Sequence, residues 1–250
     1  MKDLPHNDEI YCLETLGIKN ARGEVAKRLR EVSPALTNDE LLSLPLSKGR
    51  FLVVDLETTG MKPGKSRIIE IGAVEVDGLS LGRNLSSLVF PGKSVPPFIS
   101  SLTGITNSMV VSAPRLEDVL PLFKRMLKGR VFVAHNSRFD RSFLEHAWQA
   151  VWGEELTAPD LCTVKLSRRV FPELESHNLD SLTSRLHIRP ESPNHKARHR
   201  ALGDAIMTAS ALIKIIRKVE QEGDAETVGD LLYLQKKRRK KKTAPTPPLF

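Results

Sequence analysis

The spacing of apolar and polar residues changes near residue 50, where strand-like patterns begin. The segment "RFLVVDL" at residues 50–56 is short and densely apolar, which is typical of a buried strand. The segment "RIIEIGAVEVDG" alternates apolar and polar residues and ends in Asp77-Gly78, a turn signal. It predicts a hairpin with "LGRNLSSLVFPG" as the antiparallel partner, and "RVFVAHN" predicts a further buried strand.

Helical spacing follows the hairpin. It predicts helices in "LEDVLPLFKRMLKG", "FDRSFLEHAWQAVWG", "HNLDSLTSRL" and "ALGDAIMTASALIKIIRKVEQEG", of which all but the third end in glycine. A hairpin followed by strands that alternate with helices predicts an α/β fold with a mixed sheet. We assign this domain to residues 50–220.

The segment "GMKPGKS" at residues 60–66 imitates a phosphate-binding loop. It has three residues between its glycines, whereas that loop needs four and must open a helix. Because a strand pattern follows it, we interpret this segment as a turn.

Residues 1–49 show helical rather than strand patterns. Helices are predicted in "NDEIYCLETLG", "ARGEVAKRLREV" and "TNDELLSL", and the last has Thr37 and Glu40 at the spacing of a capping box. Since these residues contain no recognisable catalytic pattern, we interpret them as an N-terminal helical extension used for packing or interaction.

The basic charge of the chain is concentrated near its C-terminus. Residues 236–242 read "KKRRKKK", and without these seven bases the net charge of +8 becomes +1. We expect residues 221–250, which end in the proline-containing "TAPTPPLF", to form a tail without fixed structure. Such a tail can bind nucleic-acid phosphates or keep the protein in solution.

Cysteine content and hydropathy indicate the cellular setting. The only cysteines are Cys12 and Cys162, which is not a disulfide framework. The N-terminus lacks the apolar core of a secretion signal, and no segment has the length and hydropathy of a membrane span. We therefore expect a cytoplasmic protein with no membrane partner.

Two carboxylates, Asp55 and Glu57, follow the first buried strand. Residues i and i+2 of a strand point to the same face, so both acids would be directed at one point. Like charges held this close raise each other's pKa, and a divalent cation would remove that cost. The pair alone also fits a solvated strand end, so a metal site would need further acids.

Asp140 and Asp204 are the further candidates. Asp140 lies after a buried strand at the start of a predicted helix, where the helix dipole alone could explain an acid. Asp204 lies on a helix rich in alanine and leucine, where a carboxylate should be paired or bind metal. His199, five residues earlier, belongs to the helix start or the preceding loop, and a surface histidine in a basic loop is the alternative.

Together the motifs "DLETTG", "HNSRFD" and "HRALGDA", in this order, resemble those of the DEDDh (DnaQ-like) 3′–5′ exonucleases. This family includes the proofreading epsilon subunits of bacterial DNA polymerase III. The similarity continues through "FPGKSVPPFISSLTGIT", "APRLEDVLPLF" and "VKLSRRVFPELESHNLDSL" and covers about residues 48–217. In the tyrosine variant of the superfamily, a Tyr lies four residues before the last acid. Arg200 occupies that position here, which indicates the histidine branch.

The resemblance implies a ribonuclease H-like fold, with a mixed five-stranded sheet flanked by helices. It implies that Asp55, Glu57, Asp140 and Asp204 bind two Mg²⁺ ions, for which Mn²⁺ can substitute, and that His199 is the general base. Five residues adjoin the acids and are candidates for contact with the terminal nucleotide or for structural support of the motifs: Thr58, Thr59, His135, Asn136 and Phe139.

The function implied is a 3′–5′ exonuclease that acts on single-stranded 3′ ends of DNA, in proofreading or repair. The same residues would serve an exoribonuclease, because the 2′-hydroxyl is recognised by neighbouring side chains. A third hypothesis is an accessory module that binds nucleic acid through its basic tail. Its partner would be a DNA polymerase or, through the terminal "PLF", a sliding clamp.

Overall fold

The computed structural model describes residues 10–12, 36–189 and 200–236, and these contain a six-stranded sheet. The strands are β1 (Ile10–Cys12), β2 (Arg50–Thr58), β3 (Ile68–Asp77), β4 (Ser80–Leu88), β5 (Val131–Ala134) and β6 (Asp160–Cys162). They lie in the order β1-β4-β3-β2-β5-β6. Strand β3 is antiparallel to β2 and β4, and all other neighbours are parallel. Strands β2 to β6 confirm the predicted mixed five-stranded sheet, and β1 extends it.

Helices cover both faces of the sheet. They are α1 (Asn38–Ser43), α2 (Pro97–Thr103), α3 (Asn107–Val110), α4 (Leu116–Leu127), α5 (Arg138–Trp152), α6 (Thr163–Val170), α7 (Leu179–Arg185), α8 (Ala201–Glu222) and α9 (Val228–Leu234). A 3-10 turn at Leu46–Lys48 connects α1 to β2. Among the described helices, none combines the length and hydropathy needed to cross a membrane.

Strand β2 separates the two halves of the core. Its residues Phe51 and Val53 are buried in a cluster with α8, whereas Leu52 and Val54 are buried with α4 and α5. This alternation follows from the two-residue period of a strand. Because both faces are covered by helices, β2 is a central strand of a three-layer α/β fold.

The hairpin predicted between β3 and β4 is formed. Asp77 pairs with Ser80, and the two loop residues, Gly78 and Leu79, have positive φ angles of 54° and 66°. Two consecutive positive φ angles match the twist of the flanking strands. Residues 60–66 form bends and turns before β3, as their glycine spacing predicts.

Strand β3 is buried more completely than its alternating sequence suggests. Nine of its ten residues are buried, because helices cover both faces of the sheet. Its polar positions Glu70 and Glu75 are 1% and 2% exposed, and arginine side chains pair with both. The alternation therefore reflects buried ion pairs and not a solvated face.

The two ends of the chain differ from the sequence prediction. Ile10–Cys12 pairs with β4 as a strand, although a helix was predicted there. An edge strand with unpaired backbone groups can accept such a short segment, and isoleucine and tyrosine favour strand conformation. Residues 228–234, predicted to belong to the tail, form α9, which buries Val228, Leu231 and Leu234. The helical pattern of apolar residues in α9 extends over only seven residues, which is too few to be recognised within a polar segment.

Candidate active site

The carboxyl end of β2 directs two acids towards α8. Phe51 and Val53 face α8, and Asp55 and Glu57 continue the same row because they lie at successive two-residue steps. On α8, Asp204 lies in the first turn. Ligand oxygens of Asp55, Glu57 and Asp204 lie within 4.8 Å of one another, and all three residues are half-buried.

Asp140 approaches the same place from the opposite face of the sheet. It lies in the first turn of α5 and is 3% exposed. Its Oδ1 accepts a 3.1 Å hydrogen bond from the backbone N–H of Leu56, the residue between Asp55 and Glu57. The structure thus brings together all four acids that the sequence singled out, three as a cluster and the fourth beside it.

Burial and mutual repulsion perturb these acids. The pKa of Asp55 is raised well above its usual value, first by burial and then by the charges of Asp140, Asp204, Glu57 and Glu70. Burial, then the charges of Glu70, Asp204 and Asp140, raise the pKa of Glu57 to about 8. Burial raises the pKa of Asp140 to about 8, against backbone hydrogen bonds that lower it.

A divalent metal fits this arrangement. The donors are carboxylate oxygens only, which suit hard cations such as Mg²⁺ and Mn²⁺. The raised pKa values of Asp55, Glu57 and Asp140 identify negative charge that the protein alone does not compensate. A bound cation would supply that compensation, so the residues present match a divalent metal site.

Three further residues beside the site, Glu70, Gly72 and Arg200, were not assigned to it from the sequence. Arg200 precedes α8, and its guanidinium pairs with the Glu70 carboxylate of β3 through Nε and Nη2. Gly72, two residues further along β3, lies directly under the Ala201 backbone. A glutamate within the apolar "RIIEIGAV" was the available signal, because a carboxylate on a doubly covered strand needs a partner.

Thr58 and Thr59 support the loop after β2. Both are buried; Thr58 Oγ1 donates to the Gly60 carbonyl at 2.7 Å. The N–H of Arg67 donates to Thr59 Oγ1 at 2.9 Å, and the Thr59 N–H donates to the Arg67 carbonyl at 2.8 Å. These contacts give both threonines a structural role in the loop.

His135, Asn136 and Phe139 surround the start of α5. Nδ1 of His135 lies 2.9 Å from Thr163 Oγ1, and burial lowers the pKa of His135 to about 4, so this ring is neutral at pH 7. Asn136 is exposed with a left-handed φ of 72°. Phe139 packs against Phe143 with ring centroids 5.1 Å apart. The predicted general base, His199, lies outside the described residues.

The sequence also matches known proteins. Residues 52–212 match the family model RNase_T, described as an exonuclease. The epsilon subunit of DNA polymerase III from Aquifex aeolicus is 37% identical over 174 residues, which cover 70% of this chain and 84% of that protein. A PolC-type DNA polymerase III from Caldanaerobacter subterraneus is 35% identical over 83% of this chain, but the match spans only 14% of that longer protein.

A solved structure has the same fold. The structure of exonuclease X in complex with 5′ overhanging duplex DNA aligns with a TM-score of 0.60 and 29% sequence identity. The alignment covers 74% of this chain and 99% of that one. The ribonuclease H-like arrangement expected from the three motifs is thereby confirmed.

Proposed function

The chain belongs to the RNase_T exonuclease family, and from this membership we propose that it is a metal-dependent 3′–5′ exonuclease acting on DNA. It hydrolyses phosphodiester bonds from the 3′ end and releases nucleoside 5′-monophosphates. The observation that carries this proposal is the convergence of Asp55, Glu57 and Asp204 within 4.8 Å, with Asp140 beside them. The proposed catalytic domain spans residues 50–220.

The four acids would hold two Mg²⁺ ions, with Mn²⁺ as a substitute. When bound, such ions supply an activated water and stabilise the departing 3′ oxygen. The protein contributes rigidity: β2 holds Asp55 and Glu57, and the Leu56 N–H orients the Asp140 carboxylate towards them.

His199 would act as the general base. It precedes α8 in sequence, five residues before Asp204. An imidazole with a pKa of about 6.5 can take a proton from the attacking water at neutral pH. His135 is unsuited to this role, because burial lowers its pKa to about 4 and Thr163 occupies its Nδ1. Asn136, exposed at the same end of the sheet, remains a candidate for contact with the terminal nucleotide.

DNA is the proposed substrate because the relatives with substantial identity carry DNA in their names. These include the epsilon subunit of DNA polymerase III and exonuclease X in complex with duplex DNA. Matched DNA and RNA oligomers of one sequence, assayed side by side, would distinguish this proposal from an exoribonuclease. We expect a DNA preference, and faster digestion of RNA would contradict it.

The assay is digestion of a 5′-labelled single-stranded DNA oligomer in Mg²⁺. Asp55→Ala should abolish the ladder of shortened products, and His199→Ala should reduce the rate by about 10²–10⁴-fold. EDTA should stop wild-type digestion. Activity of Asp55→Ala equal to that of the wild type would refute the assignment.

As a second proposal, the protein acts as part of a DNA polymerase assembly in the cytoplasm, where it would remove misincorporated nucleotides during proofreading. This proposal is supported by similarity to an epsilon subunit and to PolC-type polymerases. Partners would be a DNA polymerase or a sliding clamp. Co-elution of purified chain and polymerase on gel filtration would support it, and separate elution at micromolar concentrations would count against it.

A further inference from the structure

Glu70 is a buried carboxylate beside the proposed metal site that the proposed chemistry does not use. It is 1% exposed and pairs with Arg200, which immediately follows His199 in the chain. We propose that the Glu70–Arg200 pair is a positioning device that holds the start of α8, and with it Asp204, against the acids of β2. This inference rests on the proposed function and extends it to two residues outside the four-acid set.

The contacts at Glu70 use both carboxylate oxygens. Oε1 accepts from Arg200 Nε at 2.9 Å and from Nη2 at 2.6 Å, and Oε2 accepts from Nε at 3.1 Å. Oε2 also accepts from the Ala201 backbone N–H at 2.9 Å. One strand residue therefore holds both the side chain that precedes α8 and an N–H of its first turn, which has no partner within the helix.

The same face of β3 permits close approach of the helix. Gly72 lies two residues from Glu70 and pairs with Asp55 across the sheet. A Cβ at Gly72 would lie 2.2 Å from the Ala201 carbonyl carbon, so the helix backbone rests on the strand backbone at this point. Asp204 lies one turn further along α8 and reaches Asp55 and Glu57. The position of Asp204 is thus set by contacts at Gly72 and Glu70, which are the sheet partners of Asp55 and Glu57.

The pair also determines where the arginine charge lies. Arg200 lies near enough to Glu57 to lower its pKa, so an unrestrained guanidinium could pair with the metal-binding acids. Glu70 holds it in a bidentate contact, in which Nε donates to Oε2 at 3.1 Å and Nη2 donates to Oε1 at 2.6 Å. Lysine could not reproduce this planar two-point contact. The pair thereby fixes the position of the guanidinium charge beside the acids of β2.

Glu75 provides a matched control on the same strand. It is 2% exposed and pairs with Arg83 at 2.9 Å and with Arg130 at 3.3 Å, so it is also a buried glutamate held by guanidinium groups. It pairs with Leu52 in the sheet, five residues from Glu70 and away from the acids. Glu75→Gln therefore reports the cost of losing a buried ion pair without disturbing α8.

Glu70→Gln should lower kcat on single-stranded DNA by about 10–100-fold with little change in KM, since a displacement of about 1 Å can cost about 10²-fold. Glu75→Gln should retain a kcat within about threefold of the wild type. Its Tm should fall by about as much as that of Glu70→Gln. Arg200→Lys, which keeps the charge, should restore only part of the rate lost in Arg200→Met. Equal rates for the two glutamine variants, or full activity in Arg200→Met, would overturn the proposal.

Mg²⁺ binding in the absence of substrate distinguishes a positioning role of the Glu70–Arg200 pair from an electrostatic one. Glu70→Gln removes a negative charge near the acids, and Arg200→Met removes a positive one. A purely electrostatic role predicts opposite changes in Mg²⁺ affinity, whereas a positioning role predicts that both variants bind Mg²⁺ at least about fivefold more weakly. Calorimetric titration with Mg²⁺ measures this directly, and opposite signs would refute the inference.

The activity assays and the Mg²⁺ titrations together show whether the positioning role or the proposed exonuclease function is wrong. If the wild type digests neither DNA nor RNA, the exonuclease assignment fails, while the Mg²⁺ titrations still test the position of Asp204. If the wild type is active and Asp55→Ala is not, but Glu70→Gln matches Glu75→Gln in rate and Mg²⁺ affinity, only the positioning role is wrong. Should Glu70→Gln fail to fold, Arg200→Met and Arg200→Lys carry the same comparison.

Discussion

The backbone N–H of Leu56 donates a 3.1 Å hydrogen bond to Oδ1 of Asp140. Leu56 points to the α5 side of the sheet, between two acids that point to the α8 side. The bond therefore joins the fourth acid to the strand that carries the first two. Rotation of α5 relative to β2 would displace Asp140 from the cluster, so the site depends on both helix layers.

Replacing Asp140 by Asn should abolish activity without unfolding the protein. The amide oxygen of asparagine can still accept from the Leu56 N–H, but it carries no charge to hold a cation. We expect a loss of at least about 10²-fold in kcat, measured on single-stranded DNA in Mg²⁺.

The stability of the same variant depends on pH. Burial raises the pKa of Asp140 to about 8, far above the value near 4 of an unfolded chain. In metal-free wild type this group costs nothing below pH 4, its destabilisation grows between pH 4 and pH 8, and it stays constant above pH 8. Metal-free Asp140→Asn should match the wild-type Tm near pH 4 and exceed it at pH 9. Glu145→Gln, an exposed position on α5, is the control and should show neither effect.

Periodicity predicted the sheet and the long helices because their apolar faces repeat locally. Four strands and four helices follow from such repeats, and a fifth helix, α1, follows from the capping box of Thr37 and Glu40. The order of the acids along the chain follows from the three motifs. Strand β6 has only three residues, too few for a period. The contact between Arg200 and Glu70 joins residues 130 positions apart, so no local pattern contains it. The alternation of β3 is by itself typical of a solvated face, so the pattern does not show that Glu70 lies beside the site.

Mg²⁺ binding should release protons. At pH 7 without metal, Glu57 and Asp140, each with a pKa of about 8, are largely protonated, and burial raises the pKa of Asp55 well above its usual value. A cation binds the ionised carboxylates, so its apparent affinity should rise from pH 6 to pH 9. Calorimetry at pH 7 in two buffers of different ionisation enthalpy measures the proton release. Binding heats that do not depend on the buffer would contradict this prediction.

Gly72→Ala should damage both stability and activity. The added Cβ would lie 2.2 Å from the Ala201 carbonyl carbon and 2.3 Å from the Leu202 nitrogen, and backbone atoms cannot move aside as a flexible side chain can. Overpacking of this kind costs about 1–3 kcal/mol, and displacement of α8 moves Asp204 from Asp55. Chemical denaturation and the DNA digestion assay measure the two effects.

Gly82→Ala on β4 is the control for that substitution. The Cβ added there would lie 3.3 Å from the Glu75 Cβ, a close contact with a side chain and not with a helix backbone. We expect its activity to remain within about twofold of the wild type. A Gly72→Ala variant as active as Gly82→Ala would show that the contact of α8 with β3 does not determine the position of Asp204.

The basic run should strengthen binding to long substrates without contributing to catalysis. Its first residue, Lys236, follows Gln235, which is 6% exposed. The Gln235 side chain accepts from the Cys162 N–H at 2.9 Å and donates to the Asp160 carbonyl at 2.6 Å. Gln235 therefore attaches the chain at the free edge of β6, and Asp160 raises the pKa of Asp140 from this strand. Lys236, the first of the seven bases, thus follows a residue that is anchored to β6.

Truncation after Gln235 preserves this attachment and removes residues 236–250. We expect unchanged kcat on oligomers of a few nucleotides and weaker binding of long single strands. The dependence of log Kd on log salt should become shallower, by about 0.7 for each phosphate that the basic run neutralises in the full-length protein. Full-length protein with the seven bases replaced by glutamine should behave like the truncation, because charge and not length carries the effect. Filter binding of a long DNA strand between about 50 and 200 mM salt, where electrostatic binding weakens steeply, measures the slope. Identical slopes for all three proteins would mean that the basic run does not bind the substrate.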